Sequence, residues 1–308
     1  MNESSVRVED TVSKPIRVDR YLADHVGLLT RSQLKTRVSR VLINGAEAKL
    51  SKSVRAGDSV TVFYEEATEP DFAPEPVALS ILFENADVIV LDKPQGMVVH
   101  PANGHYSGTL VQGIMYHCER LRAAFPEDEI RPGIVHRLDK ETSGVIIAAK
   151  NGSAREHLAA QFRDKTAAKR YIAIVKGSLP RSEGTVSGGI ERDPRNRKRF
   201  RHSAESGKAA ETSYRVIRDF GGYSFCELRP QTGRTHQLRV HMRALGCPIL
   251  GDPLYARRDD RFPEASLMLH AYSLSLVLPG DAEQREFRAP VPERFRATLR
   301  TLRNPDAR

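Results

Sequence analysis

Residues 131–150 read RPGIVHRLDKETSGVIIAAK. A glycine-containing lead-in runs into His136-Arg137-Leu138-Asp139, a polar turn follows over 140–144, and 145–149 is an unbroken apolar run. The run is short and rich in β-branched residues, which predicts a buried strand. A carboxylate beside an arginine then stands at the edge of that strand, and the strand fixes the loop that carries it. A surface turn with an incidental ion pair fits this stretch as well, so the surrounding chain has to decide.

Outward from it, residues 79–300 mix strands with helices. Residues 80–83 and 88–91 predict a hairpin, 109–117 and 153–163 helices, and 170–175 a strand holding Tyr171. Residues 181–213 read as loop-rich, 212–217 and 224–228 as strands, 229–246 as a turn and then a helix, and 270–277 as a further strand. Strands and helices do not alternate strictly. The expected class is therefore α+β, with a mixed, largely antiparallel sheet and flanking helices.

Several stretches carry possible chemistry. The His136–Asp139 run shares letters with a kinase catalytic loop, and Asp219-Phe220-Gly221 is a literal DFG. A kinase also needs an asparagine beyond the aspartate and a Gly-rich loop, and neither is present. Asp219 and Gly221 are expected to make a turn. In RPQTGRTHQLRVHM, residues 229–242, the spacing predicts His236 and Arg239 on one helical face. No acid or cysteine stands at ligand spacing beside these histidines, so no metal is expected. Arg234 and Arg239 suit a carboxylate or a phosphate, whose geometry the guanidinium fork matches. ERDPRNRKRFRH, residues 191–202, holds six Lys/Arg. Its Arg195, Arg197, Lys198 and Arg199 read as RNA-backbone contacts.

Toward the N-terminus, residues 1–14 are polar and expected to be disordered. Val18, Tyr21, Leu22, His25 and Val26 recur at helical spacing. Thr30 is placed to cap a second helix with apolar positions Leu34, Val38 and Val41, and with Arg31, Lys35, Arg37 and Arg40 on its other face. Asn44-Gly45 predicts a hairpin turn, and a second turn at 56–58 precedes a strand over 59–64. Two helices followed by a small hairpin, from Arg17 to Val62, resemble an S4 RNA-binding domain, which implies a unit over 15–65. Residues 14–57 hold ten Lys/Arg against three Asp/Glu, an excess that phosphate neutralisation would use. Residues 66–77, EATEPDFAPEPV, hold four acids, three prolines and no basic residue. They predict a stiff, extended linker over 66–78.

The whole chain has 308 residues, room for two domains, and a formal net charge of +9 with a sequence pI of about 9.6. That balance points to a polyanionic partner. No run approaches the roughly 18–20 apolar residues of a membrane span. The N-terminus lacks an apolar signal core, so a cytoplasmic location is expected. Cys118, Cys226 and Cys247 are odd in number and widely separated, which argues against a disulfide framework or a zinc site.

Taken together, the chain resembles the pseudouridine synthases of the RluA/RluD type. The resemblance rests on LDKPQGMVVHPANG (91–104), GIVHRLDKETSGVIIAAK (133–150), KRYIAIVKG (169–177), QTGRTHQLRVHMRALGCPILGDPLY (231–255) and Leu269-His270-Ala271. It implies isomerisation of uridine to pseudouridine in RNA, foremost large-subunit ribosomal RNA, free or in an assembling subunit, with no cofactor; a monomer is expected because RNA, not a second subunit, accounts for the basic surface. It also implies that Asp139 is the catalytic residue, acting on the ribose or the base, and that Arg239 pairs with it. Tyr171 would stack on the target base and assist proton removal from C5. Arg137 would contact the flipped nucleotide or fill the space it leaves, and Arg234 and His236 would orient the loop or touch RNA. A non-catalytic RNA-binding protein on the same fold, or the same reaction on another RNA such as tRNA, remains open at this point.

Overall fold

A computed structural model of the chain describes residues 2–8, 14–65, 73–101, 106–126 and 130–304. The chain forms two compact units, Met1–Asp71 and Phe72–Arg308. No helix among the described residues is long and apolar enough to cross a membrane.

The smaller unit begins with β1 (Asn2–Arg7) and β2 (Ile16–Arg17). A helical segment follows, made of α1 (Val18–Arg20) and a wider π turn (Tyr21–His25), and then α2 (Arg31–Arg37). β3 (Val38–Ile43), β4 (Ala46–Glu47), β5 (Ser53–Val54) and β6 (Ser59–Tyr64) complete it. One sheet has the order β1-β6-β3-β4, and β2 pairs with β5. Val18, Leu22, Leu34, Val54, Val60 and Val62 are wholly buried between helices and sheet.

Thr30 caps α2 as expected, in a capping box with Gln33. The helix is shorter than its apolar spacing suggests. Val38 and Val41 lie in β3, where Val41 faces Val62 of β6. Both are β-branched and gain more from the pleated surface than from another helical turn. Arg40 therefore leaves the helical face and lies over the Phe63 ring at 4.2 Å. Asn44 and Gly45 both take positive φ, the pairing a tight hairpin needs. Residues 2–7, expected to be disordered, form β1 against β6. The open edge of β6 offers backbone groups that a polar strand satisfies as well as an apolar one.

The larger unit opens with β7 (Ile81–Glu84), β8 (Val88–Lys93), α3 (Leu110–His117), α4 (Leu121–Ala124), β9 (Ser143–Ala149) and α5 (Gly152–Arg163). β10 (Ala168–Lys176), β11 (Glu183–Arg192), β12 (Phe200–Ser203), β13 (Lys208–Asp219) and β14 (Tyr223–Pro230) follow. α6 (Gln237–Ala244), β15 (Leu269–Val277), β16 (Gln284–Arg288) and α7 (Glu293–Arg303) close it. The sheet runs β12-β11-β13-β14-β10-β15-β9-β8-β7, with β16 also on β15. Its strand pairs are antiparallel except β9 with β15, so the fold is the mixed, largely antiparallel α+β arrangement expected.

One apolar cluster joins β8 and β9 to α3, α4 and α5; a second joins β10 and β14 to α6 and α7. Tyr171 packs against both, at the seam. Residues 181–213, expected to be loop-rich, are mostly the strands β11, β12 and β13. Glycines and charges mask their alternation: a Cβ on Gly189 would meet Ser206 O at 1.7 Å, so glycine there is what lets the strand pair. The DFG run is a turn, with Gly221 N–H donating to Asp219 Oδ1 at 2.7 Å. Of the stretch expected as a linker, residues 66–72 lie outside the described residues. Beyond them, the Glu75 carboxylate accepts from Gly108 N and Gln112 Nε2 ahead of and within α3.

Candidate active site

The segment carrying Asp139 is fastened at several points. His136 is turned inward: its Nε2 accepts from Ile147 N at 3.0 Å, and its ring stacks on Phe162 with centroids 4.5 Å apart. Burial, with the Lys169 charge adding to it, pushes the His136 pKa down to about 3, so the imidazole stays neutral as an acceptor. Leu138 is buried and Arg137 is exposed, so the chain alternates in and out before Asp139. After it, Thr142 N donates to Asp139 O at 3.0 Å. The Lys140 carbonyl receives both Gly96 N at 2.8 Å and Lys93 Nζ at 3.1 Å. Lys93 is fully buried and also donates to Pro94 O and Met97 O. Burial lowers its pKa to about 8, while the charges of Glu141 and Asp139 oppose the shift. Gly144, at φ +117°, then enters the parallel pair with Ala271.

The opposing wall comes from the turn before α6. Gln237 uses its whole amide. Its Oε1 accepts from Thr232 Oγ1 and Arg234 N, and its Nε2 donates to Glu211 O and Thr212 Oγ1. This ties the turn to β13. Arg239, one helical turn in, is buried and forked onto Asp252, with Nε and Nη2 each 2.8 Å from a carboxylate oxygen. Asp252 also accepts from Leu254 N and Tyr255 N. The remaining Arg239 nitrogen, Nη1, is 3.4 Å from Asp139 Oδ2. His236 Nε2 lies 3.9 Å from the same oxygen. His236 and Arg239 thus reach the same carboxylate oxygen, but not from the one helical face expected: His236 precedes the helix as its N-cap, in the left-handed region. Burial works against the Arg239 charge, but the Asp252 hydrogen bonds and then the charges of Asp252 and Asp139 hold its pKa above the usual value.

Arg137, Leu138, Asp139, Tyr171, Arg234, His236 and Arg239 line one pocket. Burial, and then the Asp139 charge, raises the Tyr171 pKa, so its phenol keeps its proton. Arg234 is exposed at the pocket edge and donates to Ala209 O. Arg195, Arg197 and Lys198 are exposed on the β11–β12 hairpin, and Arg199 is half-buried one residue before Phe200. Arg31, Lys35, Arg37 and Arg40 belong to the smaller unit, where Arg31 also reaches Asp19 at 3.3 Å. Among the described residues, one group has metal-ligand atoms within 4.8 Å of one another: Glu84, His117 and Cys118. Lys150 Nζ already occupies Glu84 at 2.6 Å, which disfavours a cation there.

Sequence reasoning passed over Lys93, Gln237, Asp252 and Tyr255. All four lie inside the motif segments quoted above. The signal was a polar residue among apolar neighbours, as where Lys93 ends the buried run of β8.

One pocket thus gathers a carboxylate held by an arginine, a histidine and a tyrosine, a set of groups able to do acid–base or nucleophilic chemistry. The model of the RNA pseudouridylate synthase family matches residues 87–244. A Borreliella burgdorferi protein named ribosomal large subunit pseudouridine synthase D is 45% identical over 297 residues, covering 94% of this chain and 91% of that protein. An uncharacterized RNA pseudouridine synthase of Bacillus subtilis is 39% identical over 305 residues, covering 98% and 99%. The solved structure of human RNA pseudouridylate synthase domain containing 4 aligns with a TM-score of 0.56 at 26% identity, over 73% of this chain and 93% of that one. The chain belongs to the RNA pseudouridine synthases, and is an isomerase.

Proposed function

We propose that this enzyme isomerises uridines of large-subunit ribosomal RNA, as a monomer, with Asp139 as its catalytic carboxylate. Relatives named for the large ribosomal subunit in Borreliella burgdorferi and Neisseria meningitidis support this substrate, together with the basic stretch 14–57 of the S4-like smaller unit. The observation that carries the role of Asp139 is its place against Arg239. Asp252 takes two nitrogens of that guanidinium, so only Nη1 turns to Asp139 Oδ2, at 3.4 Å. The carboxylate is oriented without being clamped by a full fork, and Oδ1 is the oxygen for attack on the nucleotide.

The reaction breaks N1–C1′, turns the uracil and forms C5–C1′, and the proton leaving C5 is balanced by one gained at N1. Substrate and product are isomers, so no redox equivalent is consumed. Tyr171 stacks on the uracil as a neutral phenol. Its raised pKa owes part to the Asp139 charge. Once that charge is spent in a bond to the nucleotide, this cause vanishes and the phenol gives up its proton more readily, so the phenolate that accepts the C5 proton becomes accessible. Arg137, exposed beside the pocket, contacts the flipped nucleotide or fills the gap it leaves.

The test is tritium release from RNA carrying 5-³H-uridine. Wild type is expected to release tritium and Asp139→Ala to release none. Equal release by both removes Asp139 from the chemistry, and none by either favours a non-catalytic RNA-binding protein. Mapping pseudouridines in large-subunit RNA from cells lacking the protein tests the substrate separately: an unchanged map overturns the ribosomal assignment alone.

A further inference from the structure

His236 is held more tightly than a residue that merely lines a pocket. Its backbone sits at φ 57°, ψ 16°, a conformation uncommon for a side-chain-bearing residue. Its ring meets the edges of two aromatic rings, Phe200 at 5.5 Å and 79° and Tyr255 at 5.6 Å and 82°. Its Nδ1 is 2.8 Å from Tyr255 Oη. Its Nε2 faces Asp139 Oδ2 at 3.9 Å, too far for a hydrogen bond.

The Tyr255 hydroxyl settles where the imidazole proton sits. That oxygen already accepts from Phe200 N at 2.8 Å. Its own hydrogen needs an acceptor, and among the described hydrogen bonds the other partner of Tyr255 Oη is His236 Nδ1. With a proton on Nδ1 the phenol oxygen would accept both N–H groups, and its own hydrogen would have no acceptor among the described hydrogen bonds. Nδ1 is therefore the acceptor and Nε2 carries the hydrogen. Burial lowers the His236 pKa and the Arg239 charge adds to this, while Asp139 opposes it. The ring is a neutral donor.

We propose that His236 is a substrate-contacting residue that donates its Nε2–H to a carbonyl oxygen of the target uracil, with Tyr255 as the positioning residue that fixes its tautomer. This rests on the reading of the pocket as the uridine site. Negative charge develops on the uracil oxygens as N1–C1′ opens, and a preorganised donor gains strength as it does. A neutral imidazole stabilises that charge without protonating the base, and without forming an ion pair that would occupy Asp139. Phe200 directly follows the basic hairpin loop 193–199, so the segment expected to hold RNA backbone also anchors the donor chain.

Two measurements on the full-length protein test this. The ¹⁵N spectrum of histidine-labelled enzyme, with the His236 signals found by their loss in His236→Gln, is expected to show an unprotonated Nδ1 and a protonated Nε2. In Tyr255→Phe the two tautomers should mix. In single-turnover kinetics His236→Ala is expected to lose roughly 10²-fold in rate with RNA affinity little changed, and His236→Gln, which keeps an N–H donor, to recover roughly tenfold. A protonated Nδ1 in wild type, full activity in His236→Ala, or no recovery in His236→Gln overturns the proposal. Asp139→Ala run in parallel separates the two readings. An active Asp139→Ala sinks the catalytic carboxylate, whereas an inactive one beside a fully active His236→Ala sinks the donor alone.

Discussion

The residue beside Asp139 that looks most catalytic by its letters, His136, is structural. It accepts from the backbone of β9 and holds the Asp139 segment in place. Its pKa is about 3 in the fold, against 6.5 for the ordinary side chain. Below pH 6.5 the unfolded chain takes up a proton that the folded one refuses, so the contribution to stability is full above pH 6.5. It is lost as the pH falls toward 3, at about 1.4 kcal/mol per pH unit. His241 and His270, each lowered to about 4 chiefly by burial, add to the same acid loss. Urea unfolding of His136→Gln between pH 7 and 4 should therefore show a shallower decline than wild type, because the amide oxygen accepts from Ile147 N without titrating. Parallel declines would mean His136 is not the buried neutral acceptor described. The site triad Asp139, Tyr171 and Arg239 was legible as residue types in motifs. Asp252 was not, because its role exists only where the chain returns beneath Arg239.

At the scale of elements, β9 is the beam on which the site rests. All seven of its residues are buried. Its pairing with β15 runs over Ser143 and Gly144, and at Gly144 a Cβ would meet Ala271 O at 2.1 Å and φ is +117°. Gly144→Ala should cost about 2–4 kcal/mol and lower the melting temperature. It should also reduce turnover, because the turn bearing Asp139 ends at that residue. A loss under about 1 kcal/mol would show that the two strands separate without strain. The strand itself was readable from its apolar run, and the helix α5 from the spacing of Leu158 and Phe162. The end of α2 and the strands β11 to β13 were not. Val38 and Val41 fit a helix or a strand by spacing, and the neighbouring β6 decides between them. The hairpin carrying Arg195, Arg197 and Lys198 reads as a loop because its glycines and charges carry no alternation.

At the scale of the whole molecule, the smaller unit, with its basic stretch 14–57, and the larger unit form separate cores. A chain beginning at residue 72 is expected to fold and to turn over RNA, but with weaker binding and a flatter dependence of affinity on salt. Every phosphate that the shortened chain no longer neutralises takes roughly 0.7–0.9 off the log–log slope. An unchanged slope would count against RNA binding by residues 1–71. A chain beginning at residue 79 should melt lower, because it lacks the Glu75 carboxylate that accepts from Gly108 N and Gln112 Nε2.

The sequence by itself determined the family, the largely antiparallel α+β class and the loop that bears Asp139, because those are written in contiguous motifs and local periodicity. Only the tertiary structure decided how one guanidinium is divided between Asp252 and Asp139. It also decided that His236 Nδ1 meets the Tyr255 hydroxyl, and that Lys93 is buried beneath the turn after Asp139. Each of these depends on groups from distant parts of the chain meeting within hydrogen-bonding reach of one another, and no local pattern encodes that distance.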